Sequence, residues 1–511
     1  MYHRRAEKQM TFFDFDQGFG FPIDQNNRWV ELSRQIPWDE AEESYAKNFA
    51  SKGSFETGNV ALSFRIALGS LIIKEVLHQS DRGTVKAIQE NPYLQYFLGV
   101  EKYTSEPLFA PSMMTHFRKR LDLESMKEIN DLVIKFKKKI TDAAENTSSV
   151  QETPDVQDGS PDKPADGFPC RMSEKEIRDS ISEAAEAVAA GVILGAKTLW
   201  DALTLGYNAG SNKGTLIIDA TCCPVKIRYP QDFSLLNEAR EKLEAVINRI
   251  CRDCGLYKPR TYCRKLREVF LDLSKKKRRK KKEIRSVIRR MLHAVKRNLD
   301  HIENFQEYGY CTGPKEDEMI KVIRELYQQQ KEMFDFKSNR CDHRIVSLQM
   351  PFIRPIVRGK VPVPTEFGPK IDLGVDEEGN SRVEFFSYEA YNESGHLIEA
   401  IEAYKERSGH YPMRVLADRI YRNSENIAFC KKNNILLSGP KLGRPSKDPD
   451  VSRDQKLLEK QDMIDRIEVE RKFSRAKRVF CFDDIPEKTE ETIGSVIGLS
   501  VLLDNLIPVG F

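Results

Sequence analysis

Short apolar runs in the second half of the chain alternate with amphipathic segments, and this alternation predicts an α/β fold. The runs are four to six residues long and rich in the residues that favour strands. The segments between them repeat apolar positions with the period of a helix. The predicted strands are Thr215–Ile218, Ile345–Gln349, Lys370–Val375, Arg382–Ser387, Arg414–Ala417 and Ile435–Ser438. The predicted helices that alternate with the later strands are Ser394–Ser408, Ser424–Asn433, Met463–Phe480 and Glu490–Leu506.

Three long helical patterns separate the first predicted strand from the others. They cover Ser234–Leu273, Lys281–Phe305 and Glu316–Phe336. A separation of this length implies an insertion into a smaller core. We therefore predict a helical insertion at residues 232–343 within an α/β domain that spans residues 213–510.

Only helical patterns precede residue 141, and we predict an N-terminal helical domain over residues 1–141. Helices are predicted over residues 60–77, 81–90 and 113–121, the second and third opened by Ser-containing caps. Residues 142–170 are rich in Asp, Ser, Pro, Thr and Gly, a composition typical of a disordered linker. A capping box, Ser173-x2-Glu176, then opens a connecting helix within residues 171–212.

Composition indicates an ordinary globular protein. The 511 residues are 40% hydrophobic and 31% charged, which is enough to form two or three domains. We expect neither a membrane span nor a signal peptide, because no apolar stretch has the required length or position. Ten irregularly spaced cysteines indicate reduced thiols and a cytoplasmic location. Zinc bound at Cys251 and Cys254 is an alternative, although no fourth ligand stands at finger-like spacing.

Positive charge is concentrated in one part of the predicted insertion. The chain has a net charge of +4, whereas residues 264–297 contain 16 Lys and Arg and three acids, a net charge of +13. Such a run is often a solvated face or a flexible arm. Here an apolar stripe continues beside the cations, so we favour a surface that binds DNA phosphates. The candidate contacts are Lys275, Lys276, Lys277, Arg278, Arg279, Lys280, Lys281, Lys282, Arg285 and Arg289.

Three acids stand where a two-metal phosphoryl-transfer site needs them. Asp219 and Asp418 each follow a predicted buried strand, and Glu470 lies on a predicted helix. On that helix, Arg466, Glu470 and Lys477 have the spacing R-x3-E-x6-K. At about 100° per residue, Glu470 lies about 40° and Lys477 about 20° from Arg466 around the axis. A carboxylate between two cations suits a divalent metal beside a polyanion.

Each of these features also has a simpler interpretation. Arg466 and Glu470 alone would most often be a solvated ion pair worth about 0.3–0.5 kcal/mol. A strand-final aspartate is commonly a turn former or a helix N-cap. The three acids together favour the metal site, because each falls on the element type that such a site requires. Without a Cys/His cluster beside them, the expected ion is oxygen-bound Mg²⁺ or Mn²⁺.

The segments that hold these acids resemble the three acidic blocks of bacterial insertion-sequence DDE transposases. The blocks are Leu216–Thr221, Leu416–Asn426 and the R-x3-E-x6-K helix. The third block is most similar to a group that reads Y-x2-R-x3-E-x6-K, with Met463 standing where that group has Tyr. The resemblance covers about residues 55–140 and 213–508 and includes Pro351–Lys360 and Leu437–Pro445.

This resemblance implies an RNase H-like core, a basic insertion that embraces DNA, and N-terminal helices that grip the element's ends. Asp219, Asp418 and Glu470 would be the catalytic carboxylates and would ligate two Mg²⁺ ions. Arg466 and Lys477 would hold the scissile strand. Contacts to the ends would come from the basic helix that carries Arg118, Lys119 and Arg120.

The implied activity is that of a DNA transposase. It would bind the terminal inverted repeats of its insertion element, cleave there and transfer the strands to target DNA. Two ends must be paired, so at least a homodimer on DNA is expected, in the cytoplasm and associated with the nucleoid. Two alternatives stay open: an RNase H-like nuclease without strand transfer, and a non-catalytic DNA-binding protein derived from a transposase.

Overall fold

The protein has an α/β fold, as the alternating pattern predicts. The computed structural model describes residues 24–51, 62–148, 212–357, 365–439 and 449–508. The predicted linker from residue 149 onward and the predicted connecting helix over residues 171–211 lie outside the described residues. No helix in these described ranges combines the length and apolarity needed to cross a membrane.

Seven helices make up the described residues before the first strand. They are α1 (Arg28–Arg34), α2 (Trp38–Ser51), α3 (Phe64–Val76), α4 (Asp81–Glu90), α5 (Pro92–Phe97), α6 (Met113–Arg120) and α7 (Leu123–Ser148). Side-chain caps fix several of these boundaries, since the Ser80 hydroxyl accepts the Gly83 N–H and the Asn91 side chain accepts the Tyr93 N–H. Trp29, Phe64, Phe97 and Phe117 lie in their common core.

Helix α7 corrects the predicted start of the linker. The linker is predicted from Asp142, but residues 142–148 continue α7. Buried Met126, Ile129 and Val133 anchor the helix earlier along its length. Extending an existing helix adds one hydrogen bond for each residue that is fixed, so polar residues can prolong it without a core of their own.

Five strands form the main sheet, in the order β5-β4-β1-β6-β7. They are β1 (Thr215–Cys222), β4 (Lys370–Val375), β5 (Ser381–Ser387), β6 (Arg414–Leu416) and β7 (Leu436–Leu437). β1 is antiparallel to β4 and parallel to β6. A separate hairpin joins β2 (Pro355–Val357) to β3 (Thr365–Phe367). The apolar run of β1 therefore lies at the centre of the sheet, where both of its faces are covered.

The predicted strand Ile345–Gln349 is wrong. This segment pairs with no strand among the described residues, although Ile345, Val346 and Leu348 are buried. Ile345 and Leu348 pack on the core of the helical insertion, and Val346 packs on the core of the sheet. An alternating pattern here reflects burial between two units and not membership of a sheet.

The insertion is a bundle of four helices that run alternately away from and toward the sheet. They are α8 (Asp232–Asp253), α9 (Cys263–Lys275), α10 (Lys281–Glu307) and α11 (Pro314–Asp335). One continuous helix over Ser234–Leu273 is therefore a wrong prediction. Gly255 and Tyr262 both adopt positive φ, 64° and 55°, and Pro259 lies between them, so the chain turns instead of continuing the helix.

The remaining helices complete the sheet's surroundings. They are α12 (Leu397–Ser408), α13 (Ser424–Lys432), α14 (Pro449–Val479) and α15 (Glu490–Leu506). Helix α14 contains the predicted helix Met463–Phe480 except for its last residue and begins 14 residues earlier. Helix α15 is buried from Thr492 to Leu506. Its Leu499, Leu502 and Leu503 join the core of the N-terminal helices, whereas Ile493, Val496 and Ile497 join the core of the sheet.

Candidate active site

Asp219 and Asp418 belong to neighbouring segments of the sheet. β1 and the parallel strand β6 pair so that Ile217 lies opposite Leu416. Asp219 lies two residues further along β1, opposite Leu373 of β4, and Asp418 lies two residues beyond the end of β6. The prediction that Asp219 closes its strand is therefore wrong, because β1 continues to Cys222. Asp418 is exposed and accepts the Arg419 N–H at 2.6 Å, opening a 3-10 turn over Arg419–Tyr421. The two carboxylates are close enough for the charge of Asp418 to raise the pKa of Asp219.

Helix α14 is fixed against this part of the sheet by two ion pairs and an apolar stripe. Arg414, the first residue of β6, contacts Asp462 at 3.2 Å and Asp465 at 2.5 Å. Buried side chains one, two and three turns after Asp465 pack on the core of the sheet; they are Val469, Phe473 and Ala476. These contacts fix the rotation of the helix, and Arg466 then faces Asp219.

Arg466 joins the strand and the helix parts of the site. Its guanidinium contacts Asp219 Oδ2 at 3.3 Å and Glu470 Oε1 at 3.2 Å. The Arg466–Glu470 pair is therefore not only a solvated ion pair within one helix, since the same cation reaches a carboxylate 247 residues away. Asp219 and Glu470 lie on either side of a single guanidinium, which neutralises part of their repulsion.

The pKa of the Asp219 carboxyl is higher than is usual for an aspartate. Burial raises its pKa to about 6, and the negative charges of Glu393 and Asp418 add to the rise. The Ala220 N–H, which bonds Asp219 Oδ1 at 2.8 Å, and the Arg466 guanidinium both oppose it. Near neutral pH this carboxylate is ionised but poorly solvated, so a cation beside it is stabilising.

A pH-dependent loss of stability is expected from this carboxyl. Its folded pKa of about 6 exceeds the ordinary value of 3.8, so the folded state binds the proton more tightly and loses that advantage as pH rises through 6. Between pH 5 and pH 8, the free energy of unfolding of the wild type should fall by about 1–2 kcal/mol relative to that of Asp219→Asn. Urea unfolding with EDTA at both pH values measures this difference. Asp418→Asn, at an exposed position, is the matched control, and equal slopes for all three proteins would contradict the assignment.

A second acidic layer lies behind the site, and the sequence pattern did not reveal it. Asp372 on β4 is fully buried; Tyr391 Oη donates to its Oδ1 at 2.7 Å, and Oδ2 has no partner among the described residues. Burial raises the pKa of Asp372 to about 7. Glu393 lies close enough to raise the pKa of both Asp219 and Asp372, and it pairs with Lys370 at 2.6 Å.

Tyr421 links the two layers electrostatically. It is fully buried, its hydroxyl has no partner among the described residues, and four carboxyl groups raise its pKa after burial. These are Asp372, Glu393, Asp219 and Asp418.

One feature of the sequence could have revealed Asp372. It is an acid in the middle of the apolar strand Lys370–Val375, where burying a charge is costly unless the charge has a function.

Lys477 and Met463 lie on α14 at different distances from the acids. Lys477 stands seven residues after Glu470, about 10 Å along the axis. Its Nζ lies 3.7 Å from Asp483, and its side chain is largely covered. Met463 is 69% exposed, one turn before Arg466. Along this face of α14, Arg466, which bonds the acids, thus lies between Met463 and Lys477 in the sequence.

The donor chemistry around Asp219 suits a hard cation, although no metal-binding group is apparent from geometry alone. Within the described ranges, no cluster of three or more His, Cys, Asp and Glu side chains is arranged to hold a metal. The Arg466 guanidinium bonds the two carboxylates that such an ion would contact. The available ligands are carboxylate oxygens, and one of them is desolvated, a combination that favours Mg²⁺ or Mn²⁺ over a softer ion.

The three predicted end-binding residues on α6 have different environments. Arg118 is 6% exposed and makes two hydrogen bonds with Asp81, at 3.0 and 2.6 Å, and its Nε lies 3.6 Å from Glu487. Its guanidinium therefore holds α6 to α4 and to the segment before α15, which corrects its assignment as a surface contact. Arg120 is half-buried and lies close enough to Tyr45 to oppose the rise in the pKa of that hydroxyl, whereas Lys119 is exposed.

The predicted basic run over residues 275–282 comprises the last residue of α9, the loop that follows and the first two residues of α10, at the end of the bundle nearest the sheet. Most of the run is exposed: Lys275, Lys276, Lys277, Arg278, Lys280, Lys281 and Lys282. Arg279 instead donates to the carbonyls of Leu273 and Ser274 and stacks on Phe233. Arg279 thus ends α9 and is a correction to the predicted set of contacts.

Two predicted arginines on α10 also differ from each other. Arg285 donates to the Phe334 carbonyl at 2.8 Å and lies 3.9 Å from the centre of the Phe334 ring. It binds α10 to the end of α11, so its guanidinium is used within the bundle and the predicted DNA contact is corrected. Arg289 is exposed and approaches the same ring less closely, at 5.8 Å.

Comparison with known proteins gives two family matches and one relative. The sequence profile of the family described as "Transposase DDE domain" matches residues 415–507, which include Asp418 and Glu470. That of "Transposase domain (DUF772)" matches residues 21–120. A Rhizobium meliloti protein named "Uncharacterized protein ORF8 in nfe locus" is 30% identical over 107 residues. The match covers 21% of this chain and 49% of that protein, about half its length. No solved structure matches the chain.

Proposed function

Because this chain belongs to the bacterial insertion-sequence transposases, we propose that it moves its own insertion element. It binds the terminal inverted repeats, cleaves the DNA there in a metal-dependent reaction and joins the cut strands to target DNA. The observation that carries the proposal is the Arg466 guanidinium bonded to both Asp219 and Glu470. It supports a single site composed of Glu470 on a helix, Asp219 on the central strand and Asp418 after the neighbouring strand, on an RNase H-like core.

The proposed metal ligands are Asp219, Asp418 and Glu470, with Mg²⁺ or Mn²⁺ as the ion. When bound, two such ions activate the attacking water or 3′-hydroxyl and stabilise the leaving 3′-oxygen. The chain itself supports the three carboxylates on ordered elements: Asp219 on β1, Asp418 at the 3-10 turn that follows β6, and Glu470 on a helix fixed by Arg414. Rigid support of this kind keeps like charges together without the reorganisation that flexible loops would require.

Arg466 and Lys477 are the proposed phosphate contacts of the scissile strand. Arg466 partly neutralises Asp219 and Glu470. A guanidinium is also suited to a phosphate, because its N–H groups match two oxygens at once. Lys477 extends the positive stripe along α14 toward the next nucleotide, and exposed Met463 lies at its other end.

The N-terminal helices and the basic bundle are the proposed DNA-binding parts outside the active site. Lys119 is the exposed cation of α6 and replaces Arg118 as the proposed contact to the element's ends. The loop over residues 275–282 supplies sequence-independent contacts to phosphates. Since both ends of an element have to be held together, we propose a homodimer on DNA.

A strand-transfer assay tests the proposal. Full-length protein, Mg²⁺ and a labelled duplex that carries the repeats flanking the gene should give cleavage at the repeat boundary and joined products on a target plasmid. Cleavage without joining would indicate a nuclease. Binding with neither reaction would indicate a DNA-binding protein that has lost its chemistry, and either outcome would overturn the proposal.

Replacing the seven exposed cations of the loop by Gln is expected to weaken DNA binding without changing its sequence preference. The changes cover Lys275, Lys276, Lys277, Arg278, Lys280, Lys281 and Lys282. Affinity for a terminal repeat and for random DNA should fall by similar factors, because phosphate contacts carry no base information. The slope of log affinity against log salt should become shallower by about 0.9 for each phosphate that the protein no longer neutralises. Fluorescence anisotropy at several salt concentrations measures both.

Two control variants separate this effect from general changes in charge and fold. Lys315→Gln with Lys321→Gln removes exposed cations from α11 and should leave the slope almost unchanged. Arg279→Gln should mainly lower thermal stability, since this residue ends α9. A selective loss of affinity for the terminal repeat in the loop variant would show that the loop reads sequence, contrary to the proposal.

A further inference from the structure

The two ends of the helical bundle are defined by different ion pairs. At the base, near the sheet, Asp232 contacts Arg344 at 2.6 Å, and Gln231 accepts a bond from Arg279. At the opposite end, the tip, Arg249 pairs with Glu316, joining the end of α8 to the start of α11. Helix α8 has 22 residues, so base and tip are separated by about 33 Å.

Charge divides the bundle lengthwise into two unequal sides. Residues 254–297, which include α9 and the first part of α10, contain 18 Lys and Arg and three acids, a net charge of +15. Helix α8 has a net charge of −1 and α11 of −2. Residues 298–307 at the far end of α10 have three acids and no Lys or Arg. A continuous positive side therefore runs from the base loop to the turn between α8 and α9.

That turn, residues 254–262, is held firmly by the bundle. Leu256 packs against the bundle core. Thr261 is 3% exposed, and its carbonyl accepts a hydrogen bond from Arg297 at 2.8 Å. The same guanidinium lies 5.0 Å from the centre of the Tyr262 ring. The tip turn is thus held in place by contacts with the rest of the bundle.

On this fixed turn, the side chain of Tyr257 is exposed to solvent and is followed by two exposed cations. Tyr257 is 96% exposed, more than any other large hydrophobic residue described. Lys258 and Arg260 beside it are also exposed. An exposed tyrosine contributes nothing to the core, whereas the ring and the cations together match a nucleic acid, which offers phosphates, sugars and bases at one place.

We infer that the tip turn, through Tyr257, Lys258 and Arg260, is a second DNA-binding site of the bundle. It lies about 33 Å from the base loop, so it contacts the duplex about 10 base pairs away, since one base pair spans about 3.4 Å. The cations bind phosphates, and the Tyr257 ring contacts sugar or base edges in the groove. The kind of DNA in this inference rests on the proposed function. The path of the DNA between the two sites rests on the positive charge of α9 and the first part of α10.

The test compares Tyr257→Ala with Tyr308→Ala in the full-length protein. Tyr308 is also at the tip and 81% exposed, but it follows the acidic end of α10 and serves as the matched control. Fluorescein-labelled duplexes of 8 and 30 base pairs start from the terminal repeat's outer end, and the shorter one spans less than the distance between the two sites. Tyr257→Ala should lower affinity for the 30-base-pair duplex about tenfold, a loss of about 1.4 kcal/mol. It should leave the affinity for the 8-base-pair duplex unaffected, and Tyr257→Trp should retain the wild-type affinity.

Hydroxyl-radical footprinting on the 30-base-pair duplex gives the position. The protected patch that disappears in Tyr257→Ala should lie about 10 base pairs from the patch that disappears in the base-loop Gln variant. Equal affinities of Tyr257→Ala and Tyr308→Ala, or two coincident patches, would overturn the inference. Both readouts use binding alone, so a wild type that binds but does not cleave contradicts the proposed function and leaves the tip site measurable. A wild type that protects no DNA overturns both.

Discussion

Asp219→Asn, Asp418→Asn and Glu470→Gln are each expected to abolish DNA cleavage, by about a thousandfold or more, while affinity for the terminal repeat changes about twofold or less. A carboxamide keeps the shape of the side chain but cannot offset the charge of a divalent ion. Loss of one ligand therefore removes several kcal/mol of stabilisation from the transition state of phosphoryl transfer. A gel assay with Mg²⁺ and an end-labelled repeat duplex measures cleavage, and anisotropy measures binding.

Glu468→Gln is the matched control for these three variants. Glu468 lies on the same helix, is part-exposed and pairs with Arg471 at 3.2 Å, so its change should leave cleavage within about twofold. Near wild-type cleavage by any one of the three variants would remove that residue from the ligand set. Asp462 and Asp465 are poor substitutes, because Arg414 already engages both carboxylates.

Lys477→Ala is expected to lower cleavage and joining about a hundredfold without lowering thermal stability measurably. The ion pair of Lys477 with Asp483 is long, at 3.7 Å, and a surface pair is worth at most about 1 kcal/mol. Electrostatic positioning of a transferring phosphate is worth several kcal/mol. Single-turnover rates with saturating DNA, together with a thermal melt, separate the two contributions.

Arg471→Ala provides the comparison on the same helix. Arg471 is 73% exposed at its side chain and pairs within its own turn, with Glu468, so this change should affect neither rate nor stability. If Lys477→Ala cuts and joins DNA at the wild-type rate, Lys477 does not contact the phosphate. The R-x3-E-x6-K spacing would then no longer support Glu470 as a metal ligand. Met463→Tyr adds the residue that the resembling group carries and should not reduce the rate.

Part of the arrangement could be predicted from the sequence where one periodicity fixed a direction. Asp219 and Asp418 come close because β1 and β6 are parallel neighbours, although Asp219 lies within its strand and not at its end. A helical period placed Arg466, Glu470 and Lys477 on one stripe. The partner of Arg466 could not be predicted, since no local pattern states that a guanidinium will reach a carboxylate 247 residues away.

The incorrect predictions concern residues whose charge or apolar pattern has more than one structural explanation. Arg118, Arg279 and Arg285 look like surface cations in a basic stretch, yet each caps or pairs with an element that only the folded chain brings close. Ile345–Gln349 alternates because two different cores bury it. Asp372 was overlooked because apolar residues dominate the pattern of its strand, although a lone acid in such a strand is costly unless it is used.

Helix α15 has a consequence for the newly made protein. Among the described elements it is the last to be synthesised, and at about 5–20 residues per second it follows α3 by about 20–80 s. Until then the N-terminal helices lack Leu499, Leu502 and Leu503 from their core. If these helices bind the ends of an element as proposed, a partly translated chain should not bind them stably. Each molecule able to bind would already contain the sheet that carries Asp219, so incomplete chains on the ribosome would not compete for the repeats.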